Sequence, residues 1–246
     1  MGKKHIQPTL MMAMLCLLCS KSLAGQTEYA PPWTAHSENF FMIVMSLHAG
    51  NVQKLLPKGV EALANEDGMV ATIFEMYDTG RVSGMPDYKI AFVVVEIRNL
   101  NSRDGTPGHF AIWGKTDSPE SLEVLQNHFG FPYSLAENIT VGKEQNAYTG
   151  SIGAPGKEMM RVKIEPVPEQ PFTGEGIVNM VGLNGERNIV KSEVPYLTSG
   201  YTGRIVSFEI QPQGDPVLEL IKNATPAWSM VSDNQIFSYS PALPTN

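Results

Sequence analysis

Cysteine is almost missing from this chain: 246 residues hold two, Cys16 and Cys19, both in one apolar stretch near the N-terminus. Beyond that stretch there is no disulfide framework, no thiolate nucleophile and no cysteine metal site, so the fold must rely on its core. Positive charge is scarce as well, with 18 Lys and Arg against 25 Asp and Glu and a net charge of −7. Such an acidic body repels phosphate backbones and anionic lipid heads, and no Lys/Arg stripe interleaved with aromatics offsets the repulsion. Nucleic acid and membrane surfaces are therefore not expected as partners of the mature chain. His36, His48, His109 and His128 stand at no zinc-type spacing from another ligand, so no metal centre is expected. Gly150-Ser151-Ile152-Gly153 lacks the frame of a serine-hydrolase elbow, and the glycines sit in turns instead of between a strand and a long helix, as phosphate and dinucleotide loops require. The sequence thus calls for no cofactor, and it has no internal repeat.

What is present begins with a leader. Lys3 and Lys4 precede the apolar run from Leu10 to Cys19, and Ser22-Leu23-Ala24 supplies small residues where a signal peptidase reads. The run is shorter than the about 20 residues needed to span a bilayer. Residues 1–24 read as a signal peptide cleaved near Ala24, which sends the mature chain to a secreted, secretory or periplasmic compartment. Cleavage removes Lys3, Lys4 and Lys21 and no acid, taking the net charge from −7 down by three, to −10. Asn138-Ile139-Thr140 and Asn223-Ala224-Thr225 fit the N-glycosylation pattern, which has meaning in a eukaryotic secretory route and none in a bacterium; Pro226 weakens the second.

Residues 25–37, with Pro31-Pro32, read as an irregular lead-in, residues 38–239 as one domain long enough to bury a substantial core, and residues 240–246 as a loose tail. Val70 to Tyr77 and Ile90 to Ile97 are rich in β-branched and aromatic residues; the second is apolar almost without a break, which predicts burial on both faces. Thr79 to Asp87 and Asn99 to Gly108 read as loops, and His109 to Trp113 as a strand. Glu120 to Phe129 is the best helix candidate: Ser118 caps it, Pro119 fits its first turn, Gly130 closes it, and Leu122, Leu125 and Phe129 recur at helical spacing. From Ala136 onward, short strands alternate with Gly and Pro, a pattern that suits an antiparallel barrel or sandwich. Val217 to Lys222 is either a short helix or a turn-flanked apolar segment.

Directly after the predicted helix stands Phe129-Gly130-Phe131-Pro132-Tyr133-Ser134-Leu135-Ala136, which resembles the active-site segment of the acetoacetate decarboxylase family. In that family an aromatic-Pro pair is followed by two adjacent lysines, the first forming a Schiff base with the keto acid. Further segments are similar and in the same order: Val52 to Glu61, Ala71 to Gly80, Tyr88 to Val95, Tyr201-Thr202-Gly203-Arg204 and Asp215 to Leu220. The resemblance implies a mainly β (α+β) fold, an acetoacetate decarboxylase-like antiparallel β-barrel or cone with a few peripheral helices and a pocket within. It also implies a homo-oligomer.

The departures cluster at the chemistry. Tyr133 and Ser134 occupy the two lysine positions; the family's N-terminal arginine falls on Glu38, and its Arg-Glu pair falls on Gln126 and Asn127. One family glutamate falls on Asp87, the other on Thr72 or, after a small slip, Glu75. A phenol or hydroxyl cannot form an iminium. A β-keto acid already decarboxylates through a six-membered, internally hydrogen-bonded transition state, so a protein can assist by excluding water and offering donors to the enolate oxygen. Tyr133 is then the candidate oxyanion donor, with Asp87 or Glu75 returning the proton to carbon. Ser134, Phe131, Trp113 and His128 are the candidate substrate contacts. The structural alternatives are a packed aromatic at Tyr133 and a loop residue at Asp87. The expected function is a decarboxylase-like lyase acting on a 3-oxo acid, in polyketide or other secondary metabolism, without a Schiff-base lysine. Two other classes stay open: an exported, non-catalytic binder of an apolar ligand on the same scaffold, and an isomerase, hydratase or hydrolase using Asp87 or Glu75 as its base.

Overall fold

A computed structural model describes residues 31–245, so the signal peptide read at 1–24 lies outside the described residues. Thirteen strands form one sheet: β1 (Trp33–Ser37), β2 (Phe40–His48), β3 (Met69–Asp78), β4 (Gly80–Ser83), β5 (Lys89–Ile97), β6 (Gly108–Thr116), β7 (Tyr133–Leu135), β8 (Ile139–Glu144), β9 (Ala147–Ile152), β10 (Met160–Leu183), β11 (Ile189–Ile210), β12 (Pro226–Tyr239) and β13 (Leu243–Pro244). Among the described residues three short helices accompany them, α1 (Ala49–Val52), α2 (Pro119–Asn127) and α3 (Pro216–Ile221). The architecture is mainly β with few helices, as expected. Among the described residues no helix is long and apolar enough to cross a membrane.

Pairing runs β11-β10-β6-β5-β3-β2-β12, and β12 pairs β11 as well, so seven strands close on themselves. The pairings are antiparallel except where β6 meets β10, through His109–Met180 and Phe110–Val181, and where β7 adds to β6. Closure explains the unbroken apolar run in β5. Ala91, Val93, Val95 and Ile97 enter one core on one face, while Ile90, Phe92 and Val94 enter a second core on the other. The second core also takes Val124, Leu125 and Phe129 from and just beyond α2.

Several boundaries differ from the sequence reading. The lead-in becomes regular at Trp33, because β1 pairs β12 from Trp33–Tyr239 to Ser37–Gln235. The loop after β3 holds the four residues of β4, and the tail is pinned where β13 pairs β11. The separate short strands expected between 159 and 210 merge into the long β10–β11 hairpin. Its register breaks between Pro166 and Pro171, where prolines supply no ladder donor. Of the two acceptor asparagines, Asn223 is exposed and Asn138 is half-buried, its amide donating to the Gly153 carbonyl at 3.5 Å.

Asp215 ties α3 to the barrel. One carboxylate oxygen caps the helix by accepting from the Val217 and Leu218 amides at 2.9 and 3.1 Å, and the other accepts the Trp113 indole N–H at 2.9 Å. Asp215→Ala removes the cap and leaves the indole donor without its partner. A loss of about 2–3 kcal/mol is expected, read as a lowered urea midpoint at unchanged slope; a loss below about 0.5 kcal/mol would show that neither bond matters to stability.

Candidate active site

The segment after α2 is positioned by the helix that precedes it. Ser118 accepts the Ser121 amide at 3.1 Å and Pro119 opens the first turn, as the sequence predicts. Past the helix, Gly130 has φ +66° and lies so close to the Leu183 backbone that a Cβ there would clash, while the Leu183 amide donates to the Gly130 carbonyl at 2.9 Å. This fastens the end of α2 to the end of β10. Gln126 then donates its amide to the Tyr133 carbonyl at 2.8 Å.

Strand parity decides which of Tyr133 and Ser134 faces inward. On β7, Tyr133 registers with Gly114 and Ser134 with Lys115. Tyr133 is 3% exposed, its ring centroid 5.8 Å from Phe92 and 5.1 Å from Phe131. Any side chain on Gly114 would overlap that ring. Ser134 is exposed, and Lys115, on the outer side of β6, borders a separate surface cleft with Glu137 and Lys157.

The ring holds a partly open cavity of about 190 Å³. For scale, a dry apolar cavity of about 150 Å³ accepts benzene. Aliphatic and aromatic side chains such as Phe40, Met42, Ile73, Phe92 and Met180 form most of its wall, and among the described residues no Lys or Arg lines it. Glu75 of β3 projects into this space. The residue as a whole is half-buried, and burial of its carboxyl pushes it from 4.5 up to about 8. Glu75 is therefore a neutral carboxylic acid at neutral pH. Burial also raises the phenols of Tyr77, Tyr133 and Tyr239, all within electrostatic reach of Glu75, so these hydroxyls remain hydrogen-bond donors. Tyr133 is not on the cavity wall; its ring stacks behind Phe92, which is.

His109 of β6 lines the same cavity and is held neutral, burial lowering it to about 4. Sequence reasoning considered it only as a metal ligand. Its one signal was its place in a strand whose alternate residues are apolar. Among the described residues, no three His, Cys, Asp or Glu side chains converge as a metal site.

Of the other sequence candidates, Phe131 is buried in the core behind the cavity. His128 is exposed and rests on the Trp33 ring at 5.1 Å. Asp87 is exposed in the loop after β4, accepting the Val82 amide at 3.3 Å. Trp113 belongs to the opposite core, because a bulge against Val93 and Val94 inserts one residue in β6 and reverses its parity. The structure thus gathers Glu75, Tyr133 and Phe131 at or behind the cavity and leaves Asp87, Ser134, Trp113 and His128 away from it.

Glu75 makes stability depend on pH. The fold retains its proton up to about pH 8, while the unfolded chain releases it near 4.5. The stabilisation from the neutral acid is fully present below about pH 4.5 and is lost as pH rises through about 8. Denaturant titrations should show wild type losing stability across that window, with Glu75→Gln flattening the loss by about 1 kcal/mol or more. Equal pH slopes for the two proteins would mean that the carboxyl is solvated.

Neither a protein-family model nor a curated protein sequence matches the chain. Solved structures do. An acetoacetate decarboxylase from Legionella pneumophila superposes with a TM-score of 0.68 at 17% identity, covering 100% of this chain and 98% of its own. An acetoacetate decarboxylase-like enzyme from Sphingomonas wittichii RW1 gives 0.57 at 14%, covering 88% and 94%. The enduracididine biosynthesis enzyme MppR, in complex with pyruvate, gives 0.55 at 16%, covering 92% and 91%. The chain therefore has the acetoacetate decarboxylase-like fold, with Glu75 and the Tyr133 segment set around its internal cavity.

Proposed function

We propose that the cavity binds a small carbonyl compound and acts as a lyase site in which a 3-oxo acid loses carbon dioxide without a Schiff base. The observation that carries this reading is Glu75: a carboxylic acid kept neutral to about pH 8 in an apolar cavity that no Lys or Arg lines. Such a cavity disfavours a carboxylate and favours the neutral 3-oxo acid, the form that decarboxylates by itself.

The steps balance without an amine. The substrate's carboxyl proton moves to its own ketone oxygen as the bond between the carboxyl carbon and the α-carbon breaks. The electron pair of that bond forms the enol, and carbon dioxide leaves. Hydrogen-bond donation to the ketone oxygen from the Glu75 acid, which lines the cavity, stabilises the charge that gathers there, while Tyr133 stands behind Phe92 and supports the wall. The enol then gives its hydroxyl proton to an internal acceptor and takes one at carbon. Glu75 can serve both transfers, because one carboxyl oxygen accepts while the other donates. Asp87, exposed on its loop, is left out of this scheme. His109, neutral on the same wall, is a second uncharged donor for the ligand. Support for the substrate class comes from the fold's solved relatives, which include decarboxylases and a pyruvate complex.

The purified protein should release carbon dioxide from a panel of short 3-oxo acids at a rate unaffected by borohydride added with substrate. Activity should fall as pH rises through about 8. Glu75→Leu should lower kcat by about 100-fold or more and abolish that pH limb, whereas Tyr133→Phe, behind the cavity wall, should leave kcat within about twofold. Borohydride trapping of a protein–substrate adduct would overturn the amine-free route. Ligand-induced thermal stabilisation with no turnover on any acid would make the protein a binder and not a lyase.

A further inference from the structure

We propose that Gln235 and Thr198, with Ser37 beside Gln235 in the same row, form a recognition subsite on the cavity wall for an uncharged ligand group that donates as well as accepts hydrogen bonds, an alcohol hydroxyl in the first place. This rests on the reading of the cavity as a ligand site and adds a second polar feature to the ligand, away from its carbonyl.

The three residues form one row across three strands. Ser37 of β1 registers with Gln235 of β12, and Gln235 registers with Thr198 of β11. Register partners point to the same face of a sheet. All three are buried, at 0%, 7% and 3% exposure, and Gln235 and Thr198 line the cavity. The Ser37 Oγ, Gln235 Oε1 and Thr198 Oγ1 atoms have no hydrogen-bond partner among the described residues. Buried polar side chains in folded proteins are paired as a rule, so three adjacent exceptions in one row need a cause.

Other polar side chains on the same strands are paired, although the Trp33 indole N–H of β1, away from the cavity, also lacks a partner. Thr34 of β1 donates to Ser238 of β12 at 3.1 Å, and Ser232 of β12 donates to the Ser199 carbonyl at 2.6 Å. The pairing fails along the row that meets the cavity. No cation lines the space, so the row is not built for a carboxylate or phosphate. Gln235 Oε1 can only accept, which requires the ligand group to donate. The two hydroxyls can do either, so they complement the same group's lone pairs.

Position completes the argument. On the closed ring, β11 lies three strands from β3, as far around as seven strands allow. A ligand whose carbonyl oxygen faces Glu75 therefore turns its distal end toward Thr198 and Gln235. In a cavity of about 190 Å³ a six-membered cyclic ketone is of the right size.

The test uses cyclohexanone and 4-hydroxycyclohexanone as matched probes, titrated into the purified protein and followed by ligand-observed NMR. Wild type should bind the hydroxylated ketone roughly tenfold more tightly than the parent. Thr198→Val and Gln235→Met, which keep side-chain shape and remove hydrogen-bonding groups, should each reduce that preference to within about twofold. The thermal midpoint of each variant reports whether it folds, and the near-isosteric Thr198→Val carries the test if Gln235→Met does not. Equal binding of the two ketones by wild type would overturn the subsite while leaving the cavity a carbonyl site. A preference that survives both substitutions would overturn it too, assigning the row a purely structural role. Binding of neither probe would bring down the carbonyl-site reading and the subsite together.

Discussion

The site depends on one strand being paired along both edges. On one side β12 pairs first with β2, from Pro226–Met45 to Ser232–Phe40, and then with β1; on the other it pairs β11, from Met230–Thr202 to Phe237–Tyr196. That double pairing turns an open sheet into a ring and leaves no free edge along β12. Enclosure is what raises the Glu75 carboxyl, since burial is the cause of its shift. With β12 unpaired from β11, the same residues would line an exposed groove. Glu75 would then be hydrated and ionised at neutral pH, with no means of donating a proton there.

Much of this frame is legible in the sequence where the signal is local. The β-branched runs give β3 and β5 nearly to the residue, and the Ser118-Pro119 start and Gly130 stop give α2 to within two residues. The long-range parts are not legible. β10 and β11 read as fragments because Pro166, Pro168 and Pro171 interrupt the pattern, and only the partner strand shows that the ladder resumes after the register slip. β12 escaped notice because Ser232-Asp233-Asn234-Gln235 reads as a turn, yet it sits where the strand changes partner from β2 to β1. Polar residues there serve a bend in the pairing and, at Gln235, the wall of the cavity.

The site was legible to the extent that strand parity could be guessed. Adjacent residues on a strand point to opposite faces, so the segment resemblance that selects Tyr133 and Ser134 together can place only one of them inward. Trp113 fails for a related reason. Regular alternation from His109 and Ala111 would send Trp113 to the cavity, but the β6 bulge sends Gly114 there instead. Gly114 is then the residue that makes room for the Tyr133 ring. A bulge leaves no mark in a sequence rich in apolar residues on both faces, so neither the loss of Trp113 nor the inward glycine follows from composition.

Tyr133 and Glu75 are best understood as one electrostatic system. In the acetoacetate decarboxylase pattern the inward position carries an amine, and an amine beside Glu75 in this cavity would change both groups. Each charge would stabilise the other, drawing the carboxyl pKa down and holding the amine as an ammonium, which is not a nucleophile. An iminium mechanism therefore needs further cations near the amine to offset the carboxylate. No Lys or Arg lines the cavity. With a phenol at 133 the requirement disappears: the carboxyl stays neutral because nothing nearby favours its charge. The raised carboxyl leaves this wall uncharged at neutral pH, so what it can offer a ligand is hydrogen bonds within apolar surroundings.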